Sequence, residues 1–402
     1  KSGKASSHGS PLGFDEIKLV RKALNWKHKP FQIPNKILNE WKKIGKKGQQ
    51  IENNWNKIYK KKKKIIDKIL KNNFTKVLKI EKQNAIKDLK NLATRKSSEL
   101  TLNALTQQNN NLIGGSADLA GSNNTKTKNQ KIIKPGEYNS DYIHYGVREH
   151  AMCGIMNGIA LHSKFIPYGG TFLIFSDYCK PSIRLSALMQ QRVIYVMTHD
   201  SIGLGEDGPT HQPIEQLSGL RSIPNLNVFR PADRIETIEC WEEALKNSKT
   251  PSILSLTRQN LDPIRKKYSS VNKCSLGAYE VLRTNKKINL TILASGSEVN
   301  LAIATSHKLA KYKIYSKVIS MPCQDIFDRQ SASYKKKILG ESKIKISIEA
   351  ASTDGWKKYI GTNGLTFGIN AFGKSAPYKD IYKYFGLTAS NIANKTKKLI
   401  KN

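Results

Sequence analysis

The sequence predicts an α/β fold, a parallel-sheet domain followed by a smaller α/β C-terminal domain. Three observations lead there. From about residue 85, short apolar runs of strand length alternate with segments of 3.6-residue apolar periodicity. The segment 260–272 (NLDPIRKKYSSVN) is polar, contains proline and has no period, so it interrupts the series. Beyond it the alternation resumes, and strands separated by helices of this length pair in parallel under helices on both faces.

The elements follow in order. Residues 1–80 read as loop and then Lys-rich helix, with a thin apolar pattern (Ile17, Val20, Leu24, Trp26) and little core of their own. A helix is expected over 86–105, a strand at 112–113 closed by Gly114 and Gly115, and a strand at 142–145. Helix 149–162 places Ile155, Met156 and Ile159 on one face. Strand 165–168, helix 175–189 and strand 193–197 come next, then strands 227–229 and 253–256 around a helix at 232–246. The second unit holds strands 290–293, 315–319 and 344–348, a helix at 298–309 and a closing helix after Leu387. The expected boundaries are 1–81, 82–262, a linker at 263–272, and 273–402.

Composition narrows the function. The chain has 402 residues, 38% hydrophobic and 25% charged, enough for a packed core and two or three domains. No apolar run is long enough to cross a bilayer, so no membrane role is expected. The start, Lys1-Ser2-Gly3-Lys4, has no apolar leader and reads as an internal cut. The net charge of +37 invites a nucleic-acid reading, but 56 of the 68 basic residues are lysine, whereas base readout favours arginine. Residues 101–230 hold 11 basic and 9 acidic residues, a balance of +2, so +35 lies on the other 272 residues. The charge avoids the motif-bearing stretch, and no nucleic-acid partner is expected. Lys61 to Lys64 read as a solvated helix face or linker. Five scattered cysteines without a C-x-x-C spacing suit a reducing cytoplasm.

Several motifs carry chemistry. Gly203-Leu204-Gly205-Glu206-Asp207-Gly208 matches G-x-G-x-x-G after an apolar strand, the context of a dinucleotide site. Glu206 and Asp207 would then face a pyrophosphate, so a tight loop projecting carboxylate and imidazole into a cleft fits better. Five of the eight histidines, His144, His150, His162, His199 and His211, fall within 68 residues. His199 and His211 follow an expected strand on the side where open α/β sheets build their sites. No H-E-x-x-H occurs, and His144 and His150 lie six apart, so no metal site is expected. Phe172, Phe175 and Tyr178 recur every three residues, either as core or as rings that stack a planar heterocycle. Arg95, Ser122 and Arg258 would make a phosphate fork if strand ends bring them together. Glu149 opens a helix after a strand, where a carboxylate either complements the helix dipole or does chemistry.

Taken together these strings resemble the transketolases. The matching stretches are HGSPLG at 8–13, ATRKSS at 93–98, GGSADLAGSN at 114–123, YIHYGVREHAM at 142–152, YGGTFLIFSDY at 168–178, THDSIGLGEDGPTHQPIEQ at 198–216, SLTRQNL at 255–261 and FGKSAPYKDIYKYFGLT at 372–388. They are collinear and span almost the whole chain. Deoxyxylulose phosphate synthases and 2-oxo acid dehydrogenase β-subunits share the architecture, but THDSIG and TRQN together set the transketolases apart. Dihydroxyacetone synthase stays an alternative.

The resemblance implies a thiamine diphosphate-binding-type sheet domain and an enzyme of the pentose phosphate pathway. It would move a two-carbon ketol unit from a ketose phosphate to an aldose phosphate. Glu149 resembles the glutamate at N1′ of the aminopyrimidine, where a carboxyl group favours the imino tautomer needed to activate the cofactor. Phe175, with Phe172 and Tyr178, would stack the pyrimidine, and Asp118 and His8 would support the cofactor pocket. His211, the second catalytic candidate, and His8 would contact the donor oxygen. Asp207 and His199 would recognise sugar hydroxyls or the acceptor, and Arg95, Ser122, His199 and Arg258 would hold the phosphate. Residues 203–208 fall in the family's substrate loop. The G-D-G…N motif that holds the diphosphate through Mg²⁺ is absent. The diphosphate-binding domain is therefore expected to be largely missing, with 1–81 its trailing edge and a Lys-rich linker. A homodimer, or a heteromer with the diphosphate-binding half, is implied. Other expectations remain: a non-catalytic fragment, a nicotinamide dehydrogenase built on 203–208, and a Lys-driven nucleic-acid binder.

Overall fold

The computed structural model describes residues 1–70, 73–109, 111–284, 286–340 and 342–401, in two compact units, 1–68 and 69–402. The first unit consists of helix Phe14–Ala23, most of helix Asn35–Leu70 and their loops. None of its side chains is buried, as its thin apolar pattern predicts. Lys61 to Lys64 are exposed on the long helix, the solvated face expected.

The second unit contains two sheets. The first joins β1 (Leu112–Ser116), β2 (Tyr142–His144), β3 (Ile166–Phe172), β4 (Ile194–Thr198), β5 (Asn227–Phe229) and β6 (Ser252–Leu256) in the order β2-β1-β3-β4-β6-β5. All pairings are parallel, and β3, β4, β5 and β6 are buried along their whole length. The second sheet joins β7 (Tyr279–Arg283), β8 (Leu290–Ala294), β9 (Ser316–Ser320), β10 (Ile344–Ile348) and β11 (Leu365–Phe367) in the order β11-β10-β8-β9-β7, with β7 antiparallel. Short β7 and β11 escaped the sequence reading because both are edge strands with little apolar run. Among the described residues no helix is long and apolar enough to cross a membrane. All five cysteines are free and buried.

Two expected elements are corrected. The helix over 86–105 is two helices, Phe74–Lys87 and Thr94–Gln108. The break arises because Leu92 pairs with Leu261 through two backbone bonds and Asn260 Oδ1 accepts from the Ala93 amide, which ties 92–93 to 260–261 and interrupts the helix. Strand β1 does not close at Gly114 but runs through it to Ser116. A Cβ on Gly114 would stand 2.4 Å from the Tyr168 hydroxyl and one on Gly115 2.2 Å from the Tyr145 ring, so these glycines admit rings and do not turn the chain.

The two α/β domains are joined by a buried charge. Arg230, fully buried just after β5, donates from Nε to Asp200 at 2.9 Å and from Nη1 to the Ser295 carbonyl at 2.9 Å and to Glu298 at 2.5 Å. Glu349 at the end of β10 receives Arg221 through two bonds of 2.8 Å and the Trp356 indole at 2.9 Å. Burial alone would raise the Glu349 pKa, but Arg221 and Arg230 outweigh it and hold it at about 2. Arg230→Ala would leave Asp200 and Glu298 buried without this counter-charge. The expected cost is about 3–5 kcal/mol, read as a lower urea midpoint, and an unchanged midpoint would refute the coupling.

Candidate active site

In a parallel sheet the site forms at the carboxyl edge, beside the point where the strand order reverses. Here the chain passes from β1 outward to β2 and returns to β3 on the other side, so the crevice opens at the ends of β1 and β3. Asn123 fills its floor. Its amide nitrogen donates to the Thr171 carbonyl at 3.0 Å and to Thr198 Oγ1 at 2.6 Å, and its oxygen accepts from Ser116 at 3.2 Å.

This chain of bonds sets the state of His199. Thr198 Oγ1 accepts from Asn123, so its own proton is available to His199 Nδ1 at 2.8 Å. An accepting Nδ1 leaves the ring hydrogen on Nε2, making His199 a neutral donor. The electrostatics agree. Burial, and then the charges of Arg95, Arg258 and His211, lower its pKa to about 3. The residue sits at φ +63°, a left-handed backbone that a non-glycine adopts only where its surroundings enforce it.

The expected aromatic series is a wall rather than plain core. Phe172 and Phe175 stack at 5.7 Å and 9°, and Phe172 lies 3.8 Å from the His199 ring. His211 meets Phe172 at 6.1 Å and Phe175 at 5.6 Å, both edge-on, and Tyr178, mostly exposed, flanks Phe175 at 5.9 Å. Phe175 is half-buried, which leaves part of its ring open to a planar partner.

Glu149 starts helix Glu149–His162, and Phe175 immediately precedes helix Ser176–Leu188. Both helices follow parallel strands, so their N-termini lie at the carboxyl edge. One turn in, Cys153 and Cys179 contact each other in the packed interface. A carboxylate and an aromatic ring at adjacent helix starts suit the edge and face of an aminopyrimidine. The residues present therefore fit that half of thiamine.

Of the three residues expected to make a phosphate fork, Arg95 and Ser122 are joined and Arg258 is bonded elsewhere. Arg95 Nη1 donates to the Ser122 carbonyl, not its hydroxyl, at 2.7 Å, and Arg258 Nη1 to the Leu204 carbonyl at 2.8 Å. Burial, then the charge of Arg258, lowers the Arg95 pKa, which places the guanidiniums within each other's field. An anion between them would relieve that repulsion. Asp118 is exposed after β1 at φ +59°, and Asp207 is exposed in the 203–208 loop. That loop is a 3₁₀ turn and coil, with the next helix, Gln216–Arg221, eight residues on, so it forms no phosphate-binding helix start. His8 is exposed in the first unit. Among the described residues no three His, Cys, Asp or Glu are grouped to hold a metal. Asn123 and Thr198 were missed by sequence reading, because a buried amide and a strand threonine carry no pattern of their own.

Comparison with known families decides the lineage. Residues 90–263 match the transketolase pyrimidine binding domain, 277–388 the transketolase-like TK C-terminal domain, and 1–81 the transketolase thiamine diphosphate binding domain. The chain is made of transketolase-family domains. The match over 1–81 corrects the expectation that the diphosphate-binding domain is missing. That expectation rested on one absent G-D-G…N motif, whereas the family signal is spread along the whole segment. A transketolase of Sinorhizobium medicae is 45% identical over 406 residues, covering 99% of this chain and 58% of its own length. One of Buchnera aphidicola from Acyrthosiphon pisum is 43% identical over 413 residues, covering 100% and 62%. The chain thus spans about three-fifths of the curated relatives it matches. Among solved transketolases, that of Leishmania mexicana superposes at TM-score 0.85 with 36% identity over 100% of this chain and 60% of its own. The Pichia stipitis enzyme in complex with sedoheptulose 7-phosphate gives 0.85 and 38% over 98% and 59%.

The neutral state of His199 is testable. Between about 6.5, where the ring ordinarily titrates, and about 3, the unfolded chain binds this proton and the folded one does not. Its contribution to stability therefore falls as pH drops through that window. In ¹⁵N NMR the ring should keep the shifts of a neutral Nε2–H tautomer from pH 8 to pH 5, and a midpoint near 6.5 would refute the assignment.

Proposed function

We propose that this chain serves transketolase chemistry, the transfer of a two-carbon ketol unit from a ketose phosphate to an aldose phosphate in the pentose phosphate pathway. One observation carries the reading: an aromatic wall, a neutral imidazole donor and two guanidiniums share a carboxyl edge with the first-turn carboxylate Glu149. Names of relatives favour this over a dihydroxyacetone synthase.

Thiamine diphosphate, when bound, supplies the carbanion chemistry for breaking and making the carbon–carbon bond. Glu149 would hold a proton at N1′ of the aminopyrimidine, and Phe175 would stack that ring between Phe172 and Tyr178. Asp118 would support the pocket beside β1. Arg95, Arg258 and the Nε2–H of His199 would grip the phosphate, with Ser122 beside them. His211 would donate to the donor oxygen as charge develops there, and Asp207 would accept from a sugar hydroxyl. Mg²⁺ would accompany the diphosphate, with no ligand assigned among the described residues. A homodimer is the proposed assembly: Ile155, Leu161, Leu185 and Leu188 expose apolar surface on the two helices that carry Glu149 and follow Phe175. The five free cysteines support a cytoplasmic setting.

The reading is tested by ketol transfer from xylulose 5-phosphate to ribose 5-phosphate with thiamine diphosphate and Mg²⁺. The chain is assayed alone and as a chimera in which the Sinorhizobium medicae relative supplies the residues it does not span. Silence of both in folded form would overturn the proposal. In the active form, Glu149→Gln should lower turnover by about 10²–10⁴-fold with an unchanged circular dichroism spectrum, and wild-type turnover would refute the role of Glu149.

A further inference from the structure

The stretch 372–388 carries one of the strings on which the family resemblance rests, yet no residue of it has a part in the site so far. Residues 372–377 form the loop entering helix Tyr378–Tyr384 of the C-terminal domain, and they lie against the loop 203–212. Gln212 makes the joint. Its side chain is 1% exposed, and its amide nitrogen donates to the Gly205 carbonyl and to the Lys374 carbonyl, each at 2.9 Å. A carboxamide nitrogen has two hydrogens, so one serves each loop.

The fit leaves no slack. Gln212 Oε1 has no hydrogen-bond partner and faces Gly373, where a Cβ would stand 1.6 Å from it. With Gln212 pinned at its nitrogen, position 373 admits only hydrogen. Ser375 Oγ donates to the Glu206 carbonyl, and a Cβ on Gly208 would stand 3.2 Å from that of Ser375. On the other side Arg258 holds the Leu204 carbonyl. Asp207 and His211 ride on the short span between Gly205 and Gln212.

We propose that Gln212 is a positioning residue through which the C-terminal domain, by its 372–377 loop, fixes Asp207 and His211 for the sugar substrate. The inference rests on the reading of those two residues as substrate contacts. It makes the C-terminal domain a determinant of sugar recognition and not of cofactor binding, since Glu149 and Phe175 lie on other elements.

The test uses whichever form turns over, chain or chimera. Gln212→Ala should lower kcat/KM for xylulose 5-phosphate about tenfold, mostly through KM, while the Kd for thiamine diphosphate by calorimetry stays unchanged. Hydrogen exchange should quicken in 203–211 and 372–377 only. Gly373→Ala should reproduce the defect by displacing the Gln212 amide, and the double variant should be no worse than Gln212→Ala alone. Wild-type kcat/KM and exchange in Gln212→Ala would overturn the proposal, as would equal losses of sugar and cofactor affinity. If the wild type transfers no ketol unit, the functional reading fails, and exchange decides the clasp: unchanged rates in 203–211 would sink it.

Discussion

The buried guanidinium of Arg230 is the constraint around which the second unit is arranged. A cation taken wholly out of water is tolerable only if carboxylates meet it in good geometry, and here they come from three places: the end of β4, the first turn of helix Glu298–Ala310, and the end of β10. Its backbone is tied as well, the Arg230 amide donating to the Pro322 carbonyl and its carbonyl accepting from Gly296. A Cβ on Gly296 would stand 2.7 Å from the arginine stem, so even that turn is shaped by the side chain it covers. Pulling the two domains apart would strand charges of both signs, which is why they behave as one compact unit.

The same network reaches the site. Asp200, the partner of Arg230, directly follows His199, and Thr198 before it is held by Asn123. His199 is thus strained in backbone between two pinned neighbours. A left-handed residue that would otherwise relax stays where its ring meets Phe172 and its Nδ1 meets Thr198. Burial that strips the imidazole of its proton is a by-product of this anchoring. It turns the ring into a donor of fixed sense beside two arginines, which a charged imidazolium would only repel.

The parallel sheet was legible because strand and helix periods alternate strongly between 112 and 256, and because buried strands there read as continuous apolar runs. The break at 88–93 was not, since it depends on Leu92 pairing with Leu261, far along the chain. Edge strands β7 and β11 lacked an apolar signature for the same reason they are edges. In the site, Phe172, Phe175, His199 and His211 were visible from spacing and strand position. Their mutual geometry was not, nor was the part of Asn123 or Gln212. Amides that join distant loops leave no periodic trace, and only the glycines opposite them hint at a close approach.

The charge distribution follows from the same interior. Asp200, Glu236, Glu239, Glu298 and Glu349 are all buried, and each is met inside by arginine, lysine or hydroxyl. The excess basic charge lies on the exposed surface, most of all on helix Asn35–Leu70, where twelve lysines stand against three acids. Arginine carries most of the interior pairing: Arg221 forks onto Glu349, Arg230 reaches Asp200 and Glu298, and Arg265 donates from Nη1 to Glu239, which Lys82 also meets. Lysine at the surface and arginine in most of the buried pairs is what the two side chains' hydration predicts, because the weakly hydrated planar fork is the easier of the two to bury. The excess charge is therefore a property of the solvated exterior, and the buried arginines mark where the packed interior constrains the sequence.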